Sequence, residues 1–355
     1  MKKFVLILIS SFFAVLFLEI FSRNFIEKVP SKIFHFNMDA LVFDQDSLNV
    51  TWKKPSKSIM TNGHFKEYVI INKDGFRVNS VEEEIFNPQI ITIGDSQTFG
   101  HGISNDDTWP SLLEKSTGLS LGNLGFWGYR MQNYDYQIIN LVKNYKPKYL
   151  VYGMTDNDLC SFETSFTKET EYKRFLSMKK QTHLQIMLKE PFVYFKSYTS
   201  LGRITRGSYF NVFYRNPLGI SLRSKIRKKT SRNLDEECTI PTIKWLTKKA
   251  LFLKKHNIEM IVLNIPKAIR VMSIAKGFDQ KNYMKSIASI KKHEKNSLYY
   301  FIDPITELSE HYKSNNYKRE SIILPVNSHN NRFSNNILAN LVKKKINKLE
   351  LLKGL

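Results

Sequence analysis

Cysteine is nearly missing from this chain. Cys160 and Cys238 are the two in 355 residues, with no Cys-x-x-Cys and no metal-ligand spacing. That excludes a disulfide scaffold and a cysteine-built metal centre. Two readings of the cysteines stay open: a pair in an oxidising compartment, or two buried thiols. No His/Asp cluster has ligand spacing either, so neither a metal nor a cofactor is expected. Acids are scarce: 32 Asp and Glu face 54 Lys and Arg, a formal charge of +22. The surplus suits anionic partners such as nucleic acid, acidic lipid or charged glycan. Lys, Asn and Ile are all abundant, so a coding bias with much solvated surface charge accounts for it equally well.

A third absence concerns the start, "MKKFVLILISSFFAVLFLEIFSRNF". Two lysines precede an uncharged run from Phe4 to Leu18, short for a membrane span and typical of a signal-peptide core. No small-x-small cleavage site follows, because Glu19-Ile20-Phe21 stands where one belongs. The segment therefore reads as an uncleaved signal anchor over residues 1–23. Lys2 and Lys3 favour a cytoplasmic N-terminus, against Arg23, Lys28 and Lys32 beyond. The expectation is a single-pass membrane protein with its domain on the extracytoplasmic (periplasmic) side, where no nucleic acid is met.

Residues 24–87 read as a polar juxtamembrane extension, with short extended stretches such as "EYVIIN" (67–72) and a turn at "NKDGFR" (72–77). From 88 to 350 strands alternate with helices. "IITI" (90–93), "LSLGNLG" (119–125), "KYLVYGM" (148–154), "IEMIVLNIP" (258–266) and "LYYFID" (298–303) read as strands. Helices are expected over 104–118, 131–145, about 243–256 and the C-terminal stretch from Phe333 to Leu349. Crossover helices between strands imply a mainly parallel sheet covered on both faces. A basic, aromatic insertion interrupts the alternation at about 160–240. It reads either as a cap or anionic-surface contact, or as a helical insertion with a solvated face.

In parallel sheets of this kind ligands sit beyond the carboxyl ends of the strands. Four such ends carry polar groups: Ser96 after Asp95, Gly125 and Gly128 in "NLGFWGYR", Asn157 and Asp158 in "GMTDND", and His329 in "NSHNNRFS". Acyl transfer needs a nucleophile, a base within reach and donors aimed at the developing oxyanion. A serine, backbone amides at a glycine, an asparagine side chain and a histidine are those parts. His101, on the turn after Ser96, reads as a possible substrate contact.

These segments resemble the motifs of the SGNH (GDSL-type) hydrolase family. "GDSQTFG" (94–100) is similar to its first motif, "NLGFWG" (123–128) to its glycine motif, "DNDL" (156–159) to its Asn-Asp motif and "HNNRFSNNILA" (329–339) to its histidine motif. The resemblance spans roughly 88–350 without the insertion. The N-terminal segment with "NKDGFR" resembles membrane-anchored members, which are often linked to cell-surface polysaccharides. It implies a flavodoxin-like three-layer α/β/α sandwich. Ser96 would be the nucleophile and His329 the base. The amides of Ser96 and Gly128 and the Asn157 side chain would form the oxyanion hole, while Asp95 and Asp158 hold turns.

One departure stands out. The family places an aspartate two or three residues before the histidine, and here those positions hold Asn327 and Val326. In the serine-protease triad the Asp-to-Asn change lowers turnover about 10⁴-fold. Three readings follow: another acceptor orients His329, a remote acid such as Asp303 does, or the site is slow or dead. The expected function is a serine esterase removing O-acyl groups, acetyl first, from a surface glycan or a small ester. An O-acyltransferase using the same acyl-enzyme, with the insertion as a lid, and a non-catalytic glycan-binding scaffold are the alternatives. The oligomeric state stays open.

Overall fold

The computed structural model describes residues 2–23, 40–44, 49–61, 65–159, 172, 236–295, 298–324 and 329–353. Two compact units result: one from Met1–Met38, Ile59–Lys66 and Arg174–Arg232, the other from Asp39–Ser58, Glu67–Lys173 and Asn233–Leu355.

In the first unit α1 (Lys2–Arg23) is one uninterrupted helix with Leu6, Ile7, Ile9, Phe12, Phe13 and Phe17 exposed. Among the described residues no helix is long and apolar enough to cross a membrane. The uncharged run of fifteen residues gives about 22 Å of helix against about 30 Å of hydrocarbon. The anchor expected over residues 1–23 is therefore not supported by the described residues.

The second unit holds the chemistry-bearing segments. Before its main sheet come β1 (Leu41–Asp44) and β2 (Asn49–Trp52), an antiparallel pair, then β3 (Ser56–Thr61), β4 (Lys66–Ile71) and β5 (Arg77–Val78), with β4 and β5 antiparallel. Residues 41–58 and 67–78, polar in sequence, thus add strands to this unit. The main sheet comprises β6 (Ile90–Gly94), β7 (Leu121–Asn123), β8 (Tyr149–Thr155), β9 (Glu259–Ile265) and β10 (Tyr299–Ile302). All five strands are parallel, in the order β10-β9-β8-β6-β7. Counted from β6, that is the doubly wound order 2-1-3-4-5, whose crevice lies beside the first strand.

The helices are α2 (Ser96–Phe99), α3 (Trp109–Thr117), α4 (Met131–Asn144), α5 (Glu236–Lys254), α6 (Ala268–Ala275), α7 (Lys281–Lys292), α8 (Ile305–Ser314) and α9 (Arg332–Lys353). Period-two alternation sends Tyr149, Val151, Ile261 and Leu263 into one core with residues of α3, α6, α8 and α9. On β8 the opposite face carries Tyr152, whose ring meets Tyr134 of α4 and Trp245 of α5. Strands covered on both sides have no polar face, which is why "IITI" reads as a continuous apolar run. Leu338, Val342 and Ile346 of α9 pack beside Trp109 and Leu113 of α3.

Element boundaries differ from the sequence reading, most clearly ahead of α3. The helix expected over 104–118 begins at Trp109, capped by the Thr108 hydroxyl, while Asn105–Asp107 forms a short 3-10 turn. Thr108 is extended (φ −70°, ψ 148°), which suits the residues before Pro110 at the helix start. Helices α6, α7 and α8, of 8, 12 and 10 residues, were not anticipated. The 160–240 insertion lies outside the described residues except for Tyr172 and the start of α5. Cys160 lies outside them too.

Candidate functional site

The nucleophile turn is built by close approach. Strand β6 ends at Gly94, Asp95 caps α2 by accepting the Gln97 amide at 2.9 Å, and Gly100 (φ +86°) closes it. Thr98 sits against both Gly94 and Gly153, and a Cβ at either would run into its hydroxyl. The two glycines let α2 settle on the ends of β6 and β8. Ser96 opens α2, where helical amides have no intrahelical acceptor. It is partly exposed at the rim of the sheet.

His329 arrives from the other end of the chain. Its Nε2 lies 2.8 Å from Ser96 Oγ, across 233 residues. The neighbouring residues repeat the contact: Gln97 Oε1 accepts the Asn330 amide at 3.0 Å. Asn330 bridges Ile323, the His329 carbonyl accepts the Leu324 amide at 3.0 Å, and Asn331 caps α9 at the Ser334 amide. Burial lowers the His329 pKa from 6.5 to about 4, so its ring is neutral at pH 7 and able to accept a proton. The aromatic ring of His101, 4% exposed, lies 4.6 Å from that of His329 at an inclination of 34°.

The remaining predicted residues stand in the loops after β7 and β8. Gly128 (φ +77°) lies in the loop after β7, a conformation glycine adopts without a Cβ clash. That loop is fastened to the nucleophile strand by Leu124 N–H to the Thr92 carbonyl and Phe126 N–H to the Gly94 carbonyl, each 2.9 Å. Gly125 passes so near the Phe99 backbone that a side chain would collide with it. Asn157 is exposed in the turn after β8, and its amide reaches Asp95 Oδ2 at 3.4 Å, a weak bond. Asn327, the position for a histidine-orienting acid, and Val326 lie outside the described residues. Asp303 Oδ1 accepts from Asn264 at 2.9 Å and from the Ile305 amide at 3.3 Å. It thereby serves β9 and the start of α8.

Several positioning residues escaped the sequence reading. Arg77, 3% exposed, donates to the carbonyls of Phe99, Gly100 (2.7 Å) and Ile103 (2.6 Å), and lies over the Phe99 ring at 4.6 Å. Burial lowers its pKa to about 10, leaving it charged at pH 7. Asn123 accepts the Gly125 amide at 2.9 Å and donates to the Thr98 carbonyl at 3.2 Å. Thr155 Oγ1 stands between two buried carboxylates, 2.9 Å from Asp95 Oδ2 and 3.3 Å from Asp158 Oδ2. Burial raises both acids, Asp158 to about 8, with the Asp95 charge adding to the rise of Asp158. Asp158 is thus protonated at pH 7. Asp158 Oδ2 also accepts the Thr155 backbone amide at 2.9 Å, and the Thr155 hydroxyl donates toward both acids. The signal for Arg77 was present in "NKDGFR", but nothing local says what a buried guanidinium will hold.

The second unit is an α/β fold with a serine–histidine pair at its topological switch point. No family model matches the sequence, and no curated protein matches it. Solved structures resemble it. One is a protein of Bacillus subtilis (13% identity, TM-score 0.40), with 77% of this chain and 60% of that protein covered. Another is an acetyl xylan esterase (14%, TM-score 0.42), with 72% and 98% covered. A third is a GDSL-like lipase of Bacteroides thetaiotaomicron (12%, TM-score 0.35), with 74% and 89% covered. Each of these is a protein to which this chain is similar in structure.

Proposed function

We propose that the protein is a serine esterase that removes O-acyl groups, acetyl first, from a surface glycan or a related ester. The observation that carries this is the 2.8 Å approach of His329 Nε2 to Ser96 Oγ. Ser96 attacks the ester carbonyl while His329 takes its proton. The amides of Ser96 and Gly128 and the Asn157 side chain, released from its 3.4 Å contact with Asp95, hold the oxyanion. The alcohol leaves with the proton from His329. Water, deprotonated by the same ring, then attacks the acyl-enzyme and releases the acid.

Aryl-acetate hydrolysis and labelling by a fluorophosphonate probe test the reading. Wild type is expected to turn over and to label, whereas Ser96→Ala and His329→Ala lose turnover about 10⁴-fold or more. Failure of wild type to label sinks the esterase and leaves the non-catalytic glycan-binding reading. That second reading is favoured by the base's low pKa, which burial brings down to about 4. Acetyl transfer, with the insertion as a lid, is the outcome if an acceptor glycan suppresses acetate release.

Anchoring through α1 belongs to the same proposal. The uncharged Phe4–Leu18 run in the sequence motivates it. The full chain is expected to resist carbonate extraction from membranes, and a chain starting at residue 24 to be released. Equal release of both overturns it.

A further inference from the structure

We propose that His101 is a positioning residue that fixes the His329 ring against Ser96, the orienting work a carboxylate does in a Ser-His-Asp triad. The inference rests on reading Ser96 and His329 as the working pair. Three observations meet at this ring. It lies tilted against His329, with ring centroids 4.6 Å apart and planes inclined at 34°, so rotation of that imidazole about its Cβ–Cγ bond drives one ring into the other. It is immobile, at 4% exposure, and Arg77 holds the carbonyls on both sides of it, those of Gly100 and Ile103. It also shares the nucleophile's own turn, because the His101 amide donates to the Ser96 carbonyl at 3.0 Å. One rigid turn therefore presents the nucleophile with one residue and steadies the base with another, five positions on.

The division of labour differs from that of a carboxylate. An anion orients the imidazole and also stabilises its protonated form. A neutral ring does the first only. His101 is neutral because burial, the His329 ring and the Arg77 charge all hold its pKa well below 6.5. Arg77 and His329 are the titratable groups acting on it, so it adds no charge opposite the imidazolium. It also keeps water from one face of His329, in line with burial as the cause of that ring's low pKa.

Nuclear magnetic resonance of the histidine rings tests this without requiring turnover. The His329 signals are assigned by their loss in His329→Ala. In wild type they are expected to titrate below about pH 5 and to be displaced by the ring current of the neighbouring imidazole. His101→Ala and His101→Asn both admit water and free the ring, so the midpoint rises by about one unit or more toward the unperturbed 6.5. His101→Phe keeps a flat apolar ring there and leaves the midpoint within about half a unit of wild type. In aryl-acetate kinetics, the Ala and Asn variants lower kcat about tenfold or more with KM within about twofold, and Phe restores most of it. A role in stability alone leaves the His329 midpoint and kcat close to wild type in every variant that folds. A wild-type midpoint near 6.5 without ring-current displacement overturns the proposal even if no variant folds. So does an equal shift in the Phe and Ala variants. A wild type that fails to label with fluorophosphonate but shows the expected titrations sinks the esterase alone.

Discussion

The two sides of the Ser96–His329 contact are held in different ways. The nucleophile turn is gripped from several directions by groups close in sequence and by one buried cation: the Asp95 cap, Thr98 against Gly94 and Gly153, and Arg77 on three carbonyls. The base sits on a short segment fastened by backbone bonds to residues 320–324, by the Gln97–Asn330 contact and by the start of α9. One side is a rigid corner and the other a docked strap. The difference teaches that the Ser96–His329 distance is set chiefly by how the strap meets the corner.

Breaking the corner should cost most. Arg77→Met leaves three buried carbonyls without a charged donor, an expected loss of about 3–5 kcal/mol of folding stability by urea denaturation. Asn123→Ala removes bonds to Gly125 and Thr98 in a buried position and is expected to cost about 2–3 kcal/mol. Loss below about 1 kcal/mol in both would mean that the corner is held by packing alone.

Loosening the strap should affect rate more than stability. Gln97→Ala removes one partly buried bond, worth about 1 kcal/mol to folding. Its kcat for aryl acetate is expected to fall about tenfold as the 2.8 Å contact widens. Equal kcat for variant and wild type would show that the strap docks without that bond.

A separate effect, read as a slope with pH, concerns protons behind the corner. The folded Asp158 pKa, about 8, lies above its unfolded value near 3.8, so between these pH values the native state binds more protons than the unfolded state. Stability attributable to this group is therefore fully present at low pH and falls as pH rises toward 8. Asp158→Asn mimics the protonated form and should flatten that slope, leaving the part due to Asp95. An unchanged slope would place the titration elsewhere.

What was legible in the sequence was what short-range rules write. The five strands of the parallel sheet announced themselves as apolar runs followed by polar residues, and the serine, glycine and asparagine stood after strand ends, whereas His329, also expected at one, lies in the segment before α9. Trp52 shows the opposite case. It sits in a segment with the composition of a linker, yet it stacks on Phe99 and packs on Phe126 beside the nucleophile turn. Arg77 was visible as a letter in "NKDGFR" and silent as a clamp, because its three acceptors are backbone atoms that any residues supply.

By itself, then, the sequence determined the type and order of the sheet elements and the kinds of group at their ends, since burial periodicity and turn chemistry act over a few residues. Only the tertiary structure decided which imidazole meets Ser96, that His101 lies against it, and which carboxyls keep their protons. Those outcomes depend on desolvation and on ångström-scale distances between residues more than two hundred positions apart, and no local pattern encodes them.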